Sequence, residues 1–420
     1  MKTYLVGGAV RDALMGLPVR DRDWVVVGAT PQQMLDLGYT QVGRDFPVFL
    51  HPRTKDEYAL ARTERNTAPG YRGFSVQAGP GVTLEEDLAR RDLTINAIAL
   101  TADHDLGAAP PRAQDLVDPF HGQQDIADKV LRHVTPAFSE DPVRILRLAR
   151  FAARFADYRV ASETMALMRS MVDAGDVDHL VAERVWQELA RGLMEQEPRR
   201  MFAVLRECGA LAHLLPELDH LWDGPAGELS LRAIEAAARR QGSLAVRFAC
   251  LTHHLGRKLA WGAEGSSSPE AWPGPAAPQD AALAAPGSAL LQSLAQRLRA
   301  PSDCAELAEL TLRELQAVHG SAALDAEGVL ALLERCDALR KPERFAELLL
   351  VGECDAQCTA GPLVPYLPRP RLAQALQQVL DMPTQELARQ AMALGAKGPK
   401  IGQAIRHARV HRLAQTLPRP

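Results

Sequence analysis

Leu5-Val6-Gly7-Gly8-Ala9-Val10-Arg11-Asp12, followed by Asp21-Arg22-Asp23-Trp24, decides how the whole chain reads. Residues 2–6 have the β-rich composition of a short strand, and Gly7-Gly8 interrupts it. Residues 9–15 can start a helix, and Leu17-Pro18 turns the chain into a second strand over 23–27. Two adjacent glycines let backbone N–H groups approach a phosphate without Cβ obstruction, and a helix mouth adds its positive end and Arg11. Because strand side chains alternate, Asp21 and Asp23 are expected on one face at the start of the second strand. Two hard oxygen ligands there can share Mg²⁺ with a nucleotide's phosphates. A Gly-Gly alone is usually only a turn and an Asp-x-Asp only a solvated strand end; joined in this order they bring an anion cradle to a metal pair.

In this order the residues resemble the active-site signature of the nucleotidyltransferases of the DNA polymerase beta superfamily, Gly-Gly-x-x-Arg-Asp followed by Asp-x-Asp. More narrowly, the chain resembles the class II tRNA nucleotidyltransferases, the CCA-adding enzymes of proteobacteria. The likeness runs through roughly residues 1–220 and returns near the C-terminus. It implies an α+β fold: a small sheet-and-helix head followed by an all-helical neck, body and tail.

Composition agrees with several domains in one soluble chain, since 420 residues exceed one ordinary core and 47% of them are hydrophobic against 24% charged. No run reaches the length of a membrane span, and the N-terminus enters the glycine motif without a signal-peptide pattern, so a cytoplasmic enzyme is expected. Cys208, Cys250, Cys304, Cys336, Cys354 and Cys358 are scattered without CxxC pairs and read as buried or free thiols. The net charge of −4 argues at first against nucleic acid. Local charge matters more: after Glu386 there is no Asp or Glu, while Arg389, Lys397, Lys400, Arg406, Arg409 and Arg412 remain. This one-sided basic tail suits contact with a phosphate backbone.

Residues 24–62 alternate strand and helix, with Thr30-Pro31 as an N-cap and first helical position. In the strand beginning at Glu57, the superfamily resemblance places a third carboxylate acting as general base. Residues 64–80, rich in Gly, Arg, Asn and Thr, read as a loop; by resemblance it is the mobile element that reshapes the pocket as addition passes from C to A. Arg90-Arg91-Asp92 precede an apolar run and are expected at a surface or pocket edge; the resemblance assigns Arg91 and Asp92 to the nucleotide's sugar and phosphates. Next, Ser139 is a candidate N-cap, Glu140-Asp141 suit a positive helix end and Pro142 its first turn, opening a helix to Phe155. Asp141 and Arg144 are three apart and so neighbours at its mouth. Cytosine and adenine each present an amine donor beside a ring-nitrogen acceptor; uracil and guanine present a carbonyl acceptor beside an N–H donor. An acceptor from Asp141 beside a donor from Arg144 therefore takes C and A and refuses U and G, each unpaired group costing about 1–3 kcal/mol. The family's Glu-Asp-x-x-Arg motif has this role, and Arg147 matches its further arginine.

From about residue 160 the chain reads as helical, its charged faces mostly solvated. Residues 261–288 change to Gly, Ser, Pro and Ala and read as a flexible insertion. It interrupts the region where many relatives carry a metal-dependent HD phosphohydrolase domain. His254 stands where that motif needs Asp, Gly320 follows His319 where an Asp would end a second pair, and 224–241 offers no His. A vestigial HD-like body without phosphodiesterase or phosphatase activity is expected, with His253 and His254 as ordinary histidines.

The expected domains are a head over 1–136, a neck over 137–220, a body over 221–340 and a tail over 341–420. The expected reaction is template-independent addition of CCA to a tRNA 3′ end from CTP and ATP, with release of pyrophosphate. Asp21 and Asp23 would hold two Mg²⁺ ions, Gly8 and Arg11 the triphosphate, Arg91 and Asp92 the sugar end, and Asp141, Arg144 and Arg147 the base. The tRNA acceptor end is the expected partner, the chain a monomer or homodimer, with no membrane involved. Alternatives are a poly(A) polymerase, a partial CC- or A-adding enzyme, and a catalytically silent RNA-binding protein.

Overall fold

The computed structural model describes residues 1–42, 48–66, 74–102, 111–256, 281–360 and 365–417, and they fall into two compact units. The first comprises 1–192 with 200–214, the second 193–199 with 215–420.

In the first unit the chain runs β1 (Lys2–Val6), α1 (Gly8–Leu14), β2 (Asp23–Val27), α2 (Pro31–Asp36), β3 (Thr40–Val42), β4 (Val48–Leu50) and β5 (Glu57–Leu60). Then come β6 (Arg62–Asn66), β7 (Phe74–Ala78), α3 (Leu84–Ala89), β8 (Ala99–Thr101) and β9 (Leu116–Val117). The main sheet has the order β3-β4-β5-β2-β1-β8-β9, antiparallel except for β2 against β5. Alternation splits its faces: Leu5 packs with Ala9 and Val10 of α1 and with Trp24, whereas Val6 and Val25 belong to the opposite cluster with Leu88. Thr30 caps α2 in a capping box with Gln33, and Thr83 caps α3 in another with Glu86. The stretch 64–80 is not wholly a loop: β6 and β7 pair antiparallel from Arg62↔Ala78 to Asn66↔Phe74, so the ladder takes up the backbone groups on both flanks. Its tip, 67–73, lies outside the described residues.

After α4 (Gly122–Ala127), β10 (Val130–Leu131) pairs with β11 (Arg159–Val160) on either side of α5 (Val143–Arg154). Helix α5 begins later than the sequence pattern suggests. Residues Pro136–Glu140 form a 3₁₀ turn capped by Thr135, and Ser139 only bonds back to the Pro136 carbonyl. Asp141 is extended (φ −127°, ψ 100°), as a residue before proline is pushed to be, so the helix can start only after it. Helices α6 (Ser162–Asp173), α7 (Ala182–Leu193), α8 (Arg199–Glu207) and α9 (Ala210–Leu214) follow.

The second unit is helical, its helices including Pro225–Arg239, Leu244–Thr252, Ser302–His319 and Pro342–Ala360. Residues 257–280 lie outside the described residues, but the expected flexible insertion does not extend to 288: Ala281–Leu298 is a helix. Its Ala- and Leu-rich composition favours helix despite Pro286, and Gly287 lets it approach so closely that an added Cβ would meet the Leu255 carbonyl at 2.5 Å. All six cysteines are free thiols. Among the described residues no helix is long and apolar enough to cross a membrane.

Candidate active site

The strand–turn–helix at the N-terminus shapes one side of a cavity of about 600 Å³, contained within the first unit. Gly7 has φ +71°, and a Cβ there would meet Arg91 Nη1 at 3.0 Å, so this turn is held open by a glycine for both reasons. Gly8 begins α1 and lines the cavity, with room for a Cβ. Asp23, the first residue of β2, stands in register with Glu57, the first of β5; paired residues share a face, so both acids line the cavity. One step on, Trp24 stacks on Tyr58 with centroids 5.4 Å apart. Asp21 lies in the segment before β2 rather than in the strand, and is exposed. The Asp23 carboxyl is raised above its ordinary value, first by desolvation, against the pull of Arg91 and with a further push from Asp21.

A row of arginines lines the same cavity. Helix α5 turns Arg144, Arg147, Arg150 and Arg154 to the cavity, and Arg11, Arg62, Arg90, Arg91 and Arg184 complete nine arginines against the four carboxylates of Asp23, Glu57, Asp92 and Asp141. Behind the lining, Asp12 braces Arg11 and Arg154, Asp87 braces Arg90 and Arg91, and Glu188 braces Arg150. Nine arginines thus stand against seven carboxylates, and the remaining excess of two positive charges suits a polyanion such as a triphosphate. Arg11 is fixed by its neighbours: it donates to Asp12 at 2.7 and 2.8 Å and to Asn96 at 2.6 Å, beneath the rings of Phe151 and Phe155.

Curated relatives match this chain from end to end. A multifunctional CCA protein of Variovorax paradoxus is 55% identical, with 99% of each chain covered. The chain belongs to the multifunctional CCA protein family. The Poly A polymerase head domain family matches residues 3–132, and the family described as the probable RNA and SrmB-binding site of polymerase A matches 157–221. Among solved structures, the Bacillus stearothermophilus CCA-adding enzyme in complex with CTP is similar at a TM-score of 0.64 and 21% identity, covering all of this chain and 90% of that one. A Thermotoga maritima CCA-adding enzyme complexed with tRNA-CCA aligns at a TM-score of 0.61 and 20% identity, covering all of this chain and 88% of that one. The family thus has the fold described above, a nucleotidyltransferase head with helical domains after it.

In this family member, several residues are differently placed from what spacing alone suggests. Asp92 lines the cavity, as expected of a pocket edge, but is buried there: it accepts from Leu93 N–H at 2.8 Å, Asn96 Nδ2 at 3.0 Å and Arg147 Nε at 2.8 Å. Burial opposes its charge, but Arg147 and these bonds hold the carboxyl well below the usual carboxylate range. Arg91 bonds Asp87 at 3.2 Å and faces Gly7. Asp141 and Arg144 do not bond through their side chains: Arg144 Nη1 donates to the Ala137 carbonyl at 2.6 Å, while Arg184 grips Asp141 at 3.0 and 2.7 Å. Nor is the charged face of α7 simply solvated, for Glu188 is 5% exposed and accepts from Arg150 Nε at 2.6 Å, with Arg147 3.7 Å away. The arginine row had a signal in its three- and four-residue spacing; Arg184 and Glu188 had none.

A second cluster belongs to the helical unit. His253 Nε2 and His319 Nε2 lie 2.9 and 3.0 Å from the two oxygens of Asp355, and Tyr366 Oη is 2.9 Å from His319 Nδ1. The ligand atoms of His253, His254 and Asp355 are within 4.8 Å of one another, close enough for a metal ion, and all three residues are buried. Burial opposes charge on Asp355, but His253 and the bonds from both imidazoles keep its carboxyl well below the usual range.

Proposed function

We propose that this protein adds CCA to the 3′ end of tRNA, using CTP and then ATP without a nucleic-acid template. The observation that carries the reading is one cavity that Asp23 and Glu57, side by side, share with the arginine row and Asp141. In the reaction the tRNA 3′-hydroxyl oxygen bonds to the α-phosphorus, the bond to the leaving oxygen breaks, and pyrophosphate departs. Gly8, Arg11 and Arg91 bind the triphosphate, and Asp92 acts on the nucleotide through Arg147, whose guanidinium it orients. Glu57 takes the hydroxyl proton. Asp141, Arg144 and Arg147 meet the base. Most of the catalysis is positioning and charge neutralisation.

The carboxylates fit a divalent ion, for which we favour a pair of Mg²⁺. Asp23 is a hard oxygen donor whose charge is opposed by desolvation and by Asp21, a strain that a cation relieves. Asp21, Asp23 and Glu57 are not a closed three-ligand cage, and Mg²⁺, which keeps several waters and takes phosphate oxygens, does not ask for one. Asp21 and Asp23 would hold such ions, which would supply charge to lower the pKa of the attacking hydroxyl and to stabilise the leaving pyrophosphate. We place the reaction in the cytoplasm and assign the helical regions after the head to gripping the tRNA.

The deciding experiment offers a tRNA ending at its discriminator base CTP, ATP, both, UTP or GTP with Mg²⁺, and sizes the products on a denaturing gel. Two residues from CTP and three from CTP plus ATP are expected. A long ladder from ATP alone would make the protein a poly(A) polymerase, and no extension in any mixture would leave an RNA-binding protein. We propose further that the helical unit has lost phosphohydrolase activity, since His254 replaces the expected acid and imidazoles already occupy both oxygens of Asp355.

A further inference from the structure

We propose that Arg184 is a positioning residue that sets nucleotide selectivity, by leaving Asp141 a single acceptor site to offer the incoming base. This role rests on the CCA-adding reading. Arg184 lies far along the chain from the motif itself, in the first turn of α7, and nothing in the spacing of Asp141, Arg144 and Arg147 points to it.

The lone pairs of Asp141 decide how it can meet a base. An ionised carboxylate has about four acceptor positions, two on each oxygen. On Asp141, Oδ1 accepts from Arg184 Nη1 at 3.0 Å and from the Val143 N–H at 3.2 Å, which fills it. Oδ2 accepts from Arg184 Nη2 at 2.7 Å, which leaves it one position. Both residues line the cavity. The fork of a guanidinium fixes the plane of the carboxylate as well as its place, which a point charge does not. One turn further along the same face of α7, Glu188 holds Arg150 at 2.6 Å and lies 3.7 Å from Arg147, so the helix that carries the fork is itself tied to α5. Arg144 does not provide this restraint, because its Nη1 is committed to the Ala137 carbonyl.

Selectivity follows from how little a loose carboxylate can discriminate. A carboxylate accepts from any donor, and both cytosine and uracil have one: the exocyclic amine of cytosine, and the ring N–H of uracil next to it. Asp side chains have a broad torsion at the carboxylate, so an unrestrained Asp141 can turn to meet either. Held by Arg184, its one remaining site faces one direction. A base with an amine there is accepted, while uracil brings a carbonyl oxygen to the same place and is repelled.

The test uses the full-length protein and a tRNA lacking its CCA, with kcat/KM measured separately for CTP and UTP. Arg184→Ala should lower kcat/KM for CTP by roughly 10- to 100-fold, mainly through KM, and reduce the CTP-to-UTP preference by about tenfold or more. Arg184→Lys keeps the charge but not the fork; it should recover efficiency and not the preference. In an Asp141→Ala background, Arg184→Ala should add less than about a threefold further loss, as expected if one residue acts through the other. Equal losses for CTP and UTP, or effects that multiply in the double variant, would overturn the proposal. If Arg184→Ala proves unfolded by circular dichroism, the preference of the Lys variant decides alone. A wild-type protein that adds neither nucleotide sinks the proposed function, an outcome distinct from a wild type that adds CCA while its Arg184 variants keep their preference.

Discussion

The cavity of the first unit and the histidine cluster of the second both surround aspartates, and they are built to opposite ends. Around the cavity, nine arginines outnumber the seven carboxylates that line it or brace the arginines, and Asp23 is left with its charge opposed by its surroundings. Around Asp355 the bonding closes on itself: each oxygen has an imidazole, His253 Nδ1 reaches the Cys250 carbonyl at 2.7 Å, and His319 Nδ1 reaches Tyr366. Open, unbalanced charge is what a site keeps for a polyanion and its cations. Closed, balanced charge is what a core keeps to hold helices together. The chemistry of an aspartate is therefore legible less in its neighbours in sequence than in whether its partners satisfy it.

The largest effect should come from setting the two aspartates against each other. Asp23→Asn removes the charge that would hold a divalent ion and should cut nucleotide addition by roughly three orders of magnitude or more, with little change in melting temperature. Asp355→Asn should do the reverse, leaving addition within a few-fold and lowering the stability of the helical unit by about 2–3 kcal/mol as charged hydrogen bonds disappear. Rates of addition and thermal melts of both variants check the pair. The comparison breaks if Asp355→Asn abolishes addition.

Much of this could be read from the chain alone, because it lay in local patterns. The strand, Gly7-Gly8 turn, helix and second strand are contiguous, and alternation, glycine stereochemistry and capping act over a few residues. Thr30 caps its helix as its place before Pro31 says it should. What could not be read were pairings across long separations: Arg147 to Asp92, Arg184 to Asp141, Arg150 to Glu188. No spacing rule reaches them. Even the local reading failed where two local rules competed: an acidic N-terminal turn pointed to a helix at Asp141, and the proline after it forbade one. Similarly, the composition of 261–288 resembled a linker to its end, yet alanine propensity and a glycine-sized approach put the last part into a helix.

Asp92 is the cavity's exception, an acid as fully satisfied as Asp355, and it sharpens the contrast. Arg147→Met would leave this buried carboxylate short of its cation and should cost about 2–4 kcal/mol, less than a wholly buried pair because the Arg147 side chain is 36% exposed. The pH dependence has a definite sign. Asp92 titrates lower when folded than when unfolded, so its contribution is present above about pH 4, the unfolded value, and is lost as the pH falls below it. Denaturant melts between roughly pH 2 and 5 should therefore show acid destabilisation of the wild type, setting in below about pH 4, that is blunted in Arg147→Met. An equally steep acid limb in the variant would assign the effect to other carboxylates.

A smaller effect tests whether the closed cluster is only structural. With Nε2–H donating to Asp355, His319 Nδ1 accepts from the Tyr366 hydroxyl, so Tyr366→Phe removes one part-buried hydrogen bond and should cost about 1 kcal/mol. Addition of CCA should not change. Neither wild type nor variant should hydrolyse bis(p-nitrophenyl) phosphate, with or without added divalent metal. Metal-dependent hydrolysis by the wild type that disappears in His253→Ala would make the cluster a working centre and end the contrast.

The smallest effect asks whether unbalanced positive charge is confined to the cavity. The basic C-terminal stretch is less free than its composition suggests: Arg406 bonds Glu327 and Glu334, and Arg389 is 2.9 Å from Glu386. Lys397 and Lys400 are exposed at the start of the last helix, Pro399–Thr416. If this end tracks an RNA backbone, removing one lysine from its phosphate should lower the salt slope of binding by about 0.7–0.9 and weaken tRNA affinity a few-fold near 0.1 M salt. Lys397→Glu with Lys400→Glu should therefore flatten the dependence of tRNA affinity on salt by roughly one to two units, while kcat for addition on saturating tRNA holds. An unchanged salt slope would show these lysines to be a solvated helix end rather than a contact with the RNA backbone.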